Sequence, residues 1–269
     1  MNYTINDAEF KRFSSLLYDI AGIVLTDAKK VLLTGRLAKR LNALGMSSYT
    51  QYYKYVTDGT HDDELNFMID LLTTNETYFF REPQHFDFLK QLVPTQLRQG
   101  QTYRVWSAAA SNGAEAYTIA MILAERLGVD GPWEILGTDI SNSMLEQARS
   151  GLYRIAEAEK IPLEYLKKYC LKGKGPQEGS LLVQRRLRQH VRFEQLNLNV
   201  ANMRRMGEFD VIFLRNVLIY FDIPTKQRVV ANLIPNLKRG GYFVVGHAES
   251  LNGITDVLQT VEPTIYRRA

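Results

Sequence analysis

The chain has 269 residues, 45% of them hydrophobic and 23% charged, with a net charge of +4 and a single cysteine, Cys170. That length suggests about two domains, and one thiol excludes an internal disulfide and disfavours a thiolate metal site. The modest basic excess suits an acidic partner surface without arguing for nucleic acid. No apolar run reaches membrane-spanning length, and MNYTINDAEF lacks a signal-peptide pattern, so a cytoplasmic protein without membrane insertion is expected.

The first 85 residues read as a helical domain. Asp7 is the expected N-cap of a helix in which Phe10, Phe13, Leu16, Leu17 and Ile20 recur at helical spacing. Thr26 or Asp27 opens a second helix through Leu33, Leu37 and Leu41, stopped by Gly45. Ser47 or Ser48 opens a third through Tyr52, Tyr53 and Val56, and Asp62 or Asp63 a fourth through Leu65, Met68, Ile69 and Leu72. Residues 86–101, broken by Pro94, read as a linker.

From residue 102 to 269 the period changes. Strand-like runs at YRVWSAA, WEILGTD, VRFEQLNL, FDVIFLRN and GYFVVGH alternate with helical stretches, which predicts βαβ units and a mostly parallel sheet. The closing VLQTVEPTIYRR reads as a hairpin on the sheet edge. Between about 171 and 192, Gly173, Gly175, Pro176 and Gly179 punctuate a segment too broken for a core helix, and a small antiparallel β insertion is expected there.

The stretch VWSAAASNGAEAYT is the most informative. A strand ends in small residues, crosses Gly113 and enters a helix, which brings bare backbone and a helix N-terminus to a ligand. One αβ unit later the next strand ends in Asp139, where nucleoside-binding α/β folds grip a ribose. Asp139 and Ser141 compete as cap of the following helix, and Glu115 reads equally as a first-turn acid favoured by the dipole. A dinucleotide enzyme needs several glycines here, and only Gly113 is present, so NAD is disfavoured. A cofactor without phosphate, such as S-adenosylmethionine, tolerates the alanines. Arg215 and Asn216 fall at the end of the FDVIFLRN strand, in the crevice where open α/β sheets bind ligands. Upstream, NETYFFRE sets Asn75, Thr77 and Arg81 among aromatics, as a small-ligand pocket requires.

In combination, TNETYFFRE, RVWSAAASNGAEAYTIAM, GTDIS, LRNVLIYFD and GYFVVGHAES resemble the chemotaxis receptor methyltransferases, the CheR family. The resemblance covers nearly the whole chain. It implies a Rossmann-like S-adenosylmethionine-dependent α/β domain with a β insertion behind an all-α domain. It also implies methylation of receptor glutamates, with S-adenosylhomocysteine as product. Carried over by position, Asn75, Thr77, Arg81, Ala109, Gly113, Glu115, Asp139, Asn197, Leu198, Leu214, Arg215 and Asn216 contact the cofactor. Glu115 faces its amino-acid end, Asp139 its ribose, and Asn197 and Leu198 its adenine. Arg81 and Tyr220 lie at the reacting centre. Ala114 and Ala116 flank Glu115 where the family often has Glu and Pro.

A glutamate acceptor is ionised at neutral pH, so no general base is needed, in keeping with the absence of an evident nucleophile–base set. The second helix carries Lys29, Arg36, Lys39 and Arg40; at 100° per residue Lys29, Arg36 and Arg40 fall within roughly 40° of each other. This exposed basic stripe is the expected docking face for acidic chemoreceptor helices. The β insertion resembles the type that adds a strand from a receptor C-terminal peptide. A monomer is expected. The competing readings are a methyltransferase for another protein or small acid, and a non-catalytic binding module.

Overall fold

The computed structural model describes residues 3–96, 100–200 and 206–269. Four helices form the N-terminal layer: α1 (Asp7–Ala21), α2 (Lys30–Ala43), α3 (Tyr49–Val56) and α4 (Asp62–Leu72). The cap of α1 is Asn6, not Asp7. Asn6 accepts the Glu9 N–H and Glu9 reaches back to the Asn6 N–H, a reciprocal pair that places Asp7 inside the first turn. Residues 27–29 form a 3₁₀ turn before α2, Ser48 caps α3, and α4 starts at Asp62 without a side-chain cap. Phe13, Leu17, Leu33, Leu37, Leu41, Tyr49, Tyr52 and Met68 close one core between these helices.

The stretch expected to be a linker is largely helix α5 (Pro83–Gln96). Pro83 sits in the first turn, where a missing N–H costs nothing, and Pro94 stands in the last turn, where it forfeits the one N–H that would reach back to the Lys90 carbonyl. Phe86, Leu89, Leu92 and Val93 are buried in the same core as β1 (Tyr103–Ser107) and α6 (Ala114–Leu127). At about 1.5–3 kcal/mol per large apolar side chain, four such anchors bind α5 firmly to the α/β domain. This also explains why α6 is buried on all sides from Ala114 to Ala124: the sheet covers one face and α5 covers another.

After β1 and α6 come β2 (Trp133–Asp139), α7 (Asn142–Ser150), β3 (Leu152–Arg154), α8 (Leu163–Tyr169), β4 (Cys170–Lys172), β5 (Ser180–Val183), α9 (Arg185–Arg188), β6 (Val191–Gln195), β7 (Phe209–Leu214), α10 (Ile223–Leu233), β8 (Leu237–Val245), β9 (Leu258–Glu262) and β10 (Ile265–Arg268). The main sheet runs β6-β2-β1-β7-β8-β10-β9. Strands β6, β2, β1, β7 and β8 are parallel, and the terminal hairpin β9–β10 completes the edge antiparallel. Strand order reverses between β1 and β7, and a crevice opens beyond their carboxyl ends.

The insertion is a three-stranded antiparallel sheet, β3-β5-β4, and so begins at Leu152 rather than near 171. Strand β3 is three residues long and carries no alternation to reveal it. The basic run after β5 is the one-turn helix α9, and Val191 already belongs to the main sheet. Among the described residues no helix is long and apolar enough to cross a membrane.

Candidate functional site

Three segments meet at the crevice: the loop after β1, the end of β2, and the turn after β7. The helical domain closes it from above. Ile23 pairs with Phe221 in an isolated bridge, and the Val24 N–H donates to the Tyr220 carbonyl at 2.9 Å. The cleft is lined by Leu25, Lys29 and Leu32 from the helical domain, by residues 73–78 and Arg81, and by Ala109, Ser111, Glu115, Asp139, Ile140, Arg215, Asn216, Val217 and Tyr220. A second, mostly apolar recess continues from it past Asp139, walled by Ile23, Ala108, Ile140, Leu196, Leu198, Val217 and Phe221.

Arg215 is the hub. Its guanidinium is buried, 5.2 Å from the Phe86 ring centroid, and donates to Glu115 Oε2 at 2.8 Å, Glu82 Oε2 at 3.0 Å and the Arg81 carbonyl at 2.5 Å. Glu115 Oε1 accepts the Ser107 hydroxyl at 2.7 Å. One cation thus faces two carboxylates, and the cluster keeps an excess negative charge at the Glu115 end of the cleft. Burial pushes the Glu82 carboxyl up, but the Asn216 amide and the Arg215 guanidinium outweigh it and hold Glu82 below the ordinary range. His85 is buried beside them, its Nε2 at 2.7 Å from Thr264 Oγ1. Burial, and then Arg215, lower its pKa to about 4, so it is neutral at pH 7. Glu82, His85 and His247 lie close together, but both Glu82 oxygens are committed to Arg215, Asn216 and the His247 N–H, which makes the cluster an anchor for this corner.

Asp139 marks the other end. Its carboxylate accepts the Ser111 N–H at 2.8 Å and the Ser141 N–H at 3.0 Å, and burial raises its pKa. Ser141, not Asp139, caps α7. The two accepted bonds leave Asp139 lone pairs for further donors. Of the five non-glycine residues with positive φ among the described residues, four lie in the segments around this cleft: Phe80, Glu82, Ser111 and Asn216. Each conformation costs of order 1 kcal/mol or more and persists where its surroundings over-determine it. Here Thr118 Oγ1 accepts the Phe80 N–H, and Asp139 accepts that of Ser111.

Asn75, Thr77, Arg81, Ala109, Glu115, Asp139, Arg215, Asn216 and Tyr220 line one cleft. Arg81 donates to the Glu76 carbonyl at 2.6 Å and lies 5.7 Å from the Tyr78 ring centroid. Leu198 lines the recess. Asn197 lines it too, but its amide is spent on the Ile20 carbonyl and the Asn199 N–H, tying α1 to the sheet. Two residues fall outside. The Leu214 side chain is wholly buried in the core. At Gly113, φ is +86°, and an added Cβ would lie 2.8 Å from that of Ala148 and 3.1 Å from Phe193, so the packing of α7 and β6 requires a glycine here.

The basic face also resolves differently. Lys29 turns into the cleft, its Nζ 4.8 Å from the Tyr220 ring centroid. Arg36 donates to the Leu71 and Thr73 carbonyls at the end of α4. Arg40 forks onto Glu64, which also accepts the Tyr52 hydroxyl at 2.7 Å, and stacks over Phe67. Both arginines are half-buried struts between α2 and α4, because the stripe borders the apolar face closely enough for long side chains to reach across it. Lys39 stays exposed on the groove they flank, beside Val31 and Phe67.

The open parallel sheet, the crevice at its switch point and two carboxylates at opposite ends of a partly apolar, aromatic-flanked cleft define a nucleoside-cofactor methyltransferase. A negative pocket at Glu115 suits an ammonium, Asp139 a diol, and the recess a flat base, so the residues present fit S-adenosylmethionine. Comparison with known families agrees. Residues 8–73 match the CheR methyltransferase all-alpha domain and residues 75–267 the CheR methyltransferase SAM binding domain. The chain is 41% identical over 263 residues to the chemotaxis protein methyltransferase of Escherichia coli, covering 97% of this chain and 91% of that one. It is 38% identical to chemotaxis protein methyltransferase 2 of Pseudomonas aeruginosa (100% and 95% covered) and 35% identical to the Borreliella burgdorferi chemotaxis protein methyltransferase (100% and 96%). The chain belongs to the CheR methyltransferase family.

Proposed function

We propose that this protein methylates glutamate side chains on the cytoplasmic helices of chemoreceptors, yielding glutamate methyl esters and S-adenosylhomocysteine and resetting receptor sensitivity. The observation that carries this reading is the composition of the cleft. Arg81, Tyr220 and Lys29 line it, donors that suit an anionic acceptor. A glutamate carboxylate arrives ionised, so these donors can orient it without a prior proton transfer.

When bound, S-adenosylmethionine supplies the methyl group as a sulfonium substituent. Glu115 receives the ammonium of its amino-acid end, Asp139 the ribose hydroxyls, and the recess at Ile140, Leu198 and Val217 the adenine. Asn75 and Thr77 close the cofactor's flank. Arg81 orients the acceptor carboxylate through its fork of donors, and Tyr220 walls the path between acceptor and methyl. Lys29 and Lys39 steer acidic receptor helices toward the cleft. The insertion offers the short outer strands β3 and β4, with Leu152 and Leu171 exposed, as edges for a receptor C-terminal peptide.

The test incubates the protein with methyl-labelled S-adenosylmethionine and chemoreceptor-bearing membranes, then measures methanol released by mild base. Base-labile label on the receptor is the expected result. Cofactor binding without receptor label would overturn the glutamate assignment.

A further inference from the structure

We infer that Glu249 is a positioning residue for methyl transfer, acting through the turn that carries Arg215, Asn216 and Tyr220. The inference rests on the methyl-transfer reading. Glu249 is 7% exposed and belongs to the GHAES motif after β8, which the site itself does not use. Its Oε2 accepts the N–H groups of Asn216 at 2.8 Å and Gly246 at 2.6 Å, and its Oε1 accepts that of Ile219 at 3.3 Å. Asn216 stands just before the 3₁₀ turn Leu218–Tyr220 that sets Tyr220, Ile219 lies within that turn, and Arg215 immediately precedes Asn216.

Asn216 is the strained point of that turn, with φ at +58°. It is held from two sides: its backbone N–H by Glu249, and its side-chain amide by Glu82 at 3.1 Å. Three inward-facing N–H donors require a group that only accepts, and an ionised carboxylate has lone pairs for all of them. A glutamine must turn its NH₂ toward one of these donors. The turn also sits hard against β8: a Cβ on Gly246 would lie 2.9 Å from the Asn216 nitrogen and 2.5 Å from its Nδ2. Glu249 therefore ties the end of β8 to the cleft-lining Arg215, Asn216 and Tyr220 without touching the reactants.

The experiment compares wild type, Glu249→Gln and Glu249→Ala as full chains. It measures receptor kcat and KM, the stoichiometry of bound S-adenosylhomocysteine, and the Asn216 and Ile219 amide signals. The expected result is a kcat loss of about 10-fold for Glu249→Gln and about 100-fold for Glu249→Ala, with receptor KM within about 2-fold. Faster exchange of the Asn216 and Ile219 amides accompanies it. Gly246→Ala, whose Cβ would press on Asn216 and on the Glu249 carboxylate oxygen at 2.9 Å, disturbs the same linkage with Glu249 retained, gives the same kcat-selective loss and serves if the Glu249 variants do not fold. Wild-type kcat in folded Glu249→Gln overturns the inference. So does a kcat loss matched by the loss of binding-competent protein, since that is a purely structural effect. A wild-type chain that transfers no methyl overturns the methyl-transfer reading and the inference together.

Discussion

Replacing Arg215 by methionine isolates the electrostatics of the cleft floor. Methionine keeps the apolar stem and the contact with Phe86 but removes every donor. Glu82 and Glu115 are then left facing each other with side chains only 13% and 11% exposed. Removing one partner of a buried ion pair costs about 3–5 kcal/mol, because the remaining charge stays desolvated. For a domain of this size each kcal/mol moves Tm by roughly 2–4 °C, so a drop of about 10 °C is expected. The partner substitution Glu82→Gln in the same chain removes one of the two stranded charges and recovers part of the loss. A urea-denaturation double-mutant cycle on the full chain, at pH 8 and at pH 5.5, reads both effects. Without Arg215 the carboxyls titrate upward, so the deficit shrinks at the lower pH. A Met variant within 1 kcal/mol of wild type, or a deficit independent of pH, would refute the charge accounting.

Gly113→Ala adds a left-handed strain of about 1 kcal/mol to a Cβ clash with Ala148, for a stability loss of roughly 3 kcal/mol, while cofactor affinity of the folded fraction stays within about 2-fold by calorimetry. Arg40→Glu strands Glu64 and costs about 3 kcal/mol in chemical denaturation, whereas Lys39→Glu leaves stability within about 0.5 kcal/mol and raises receptor KM with a weaker salt dependence. His85 has a folded pKa near 4 against an ordinary 6.5. Between those values the unfolded chain holds the extra proton, so its contribution falls as pH drops through that window, by up to roughly 3 kcal/mol. His85→Gln should flatten the stability profile there, and an unchanged slope would count against a buried neutral histidine.

Period and punctuation in the chain determined most of the helices and strands, and that the central strands lie parallel. Those signals are local: apolar spacing, glycine, and the small residues after β1. They also put Asp139, Arg215 and Asn216 at strand ends, where the cleft opens. What tertiary structure decided is where long side chains go and what the helices cover. Arg36 and Arg40 lie on a basic stripe by spacing, yet α4 captures them with its terminal carbonyls and Glu64. The 86–93 stretch was not recognisable as core because its burial depends on α6, a partner about 30 residues away. Gly113 reads locally as a turn into a helix, but Ala148 and Phe193, which require a glycine there, come from distant segments. Glu82 and Glu249 were legible as motif letters only; their role arises from N–H groups that β7 and β8 bring together across the sheet, and no spacing along the chain encodes that meeting.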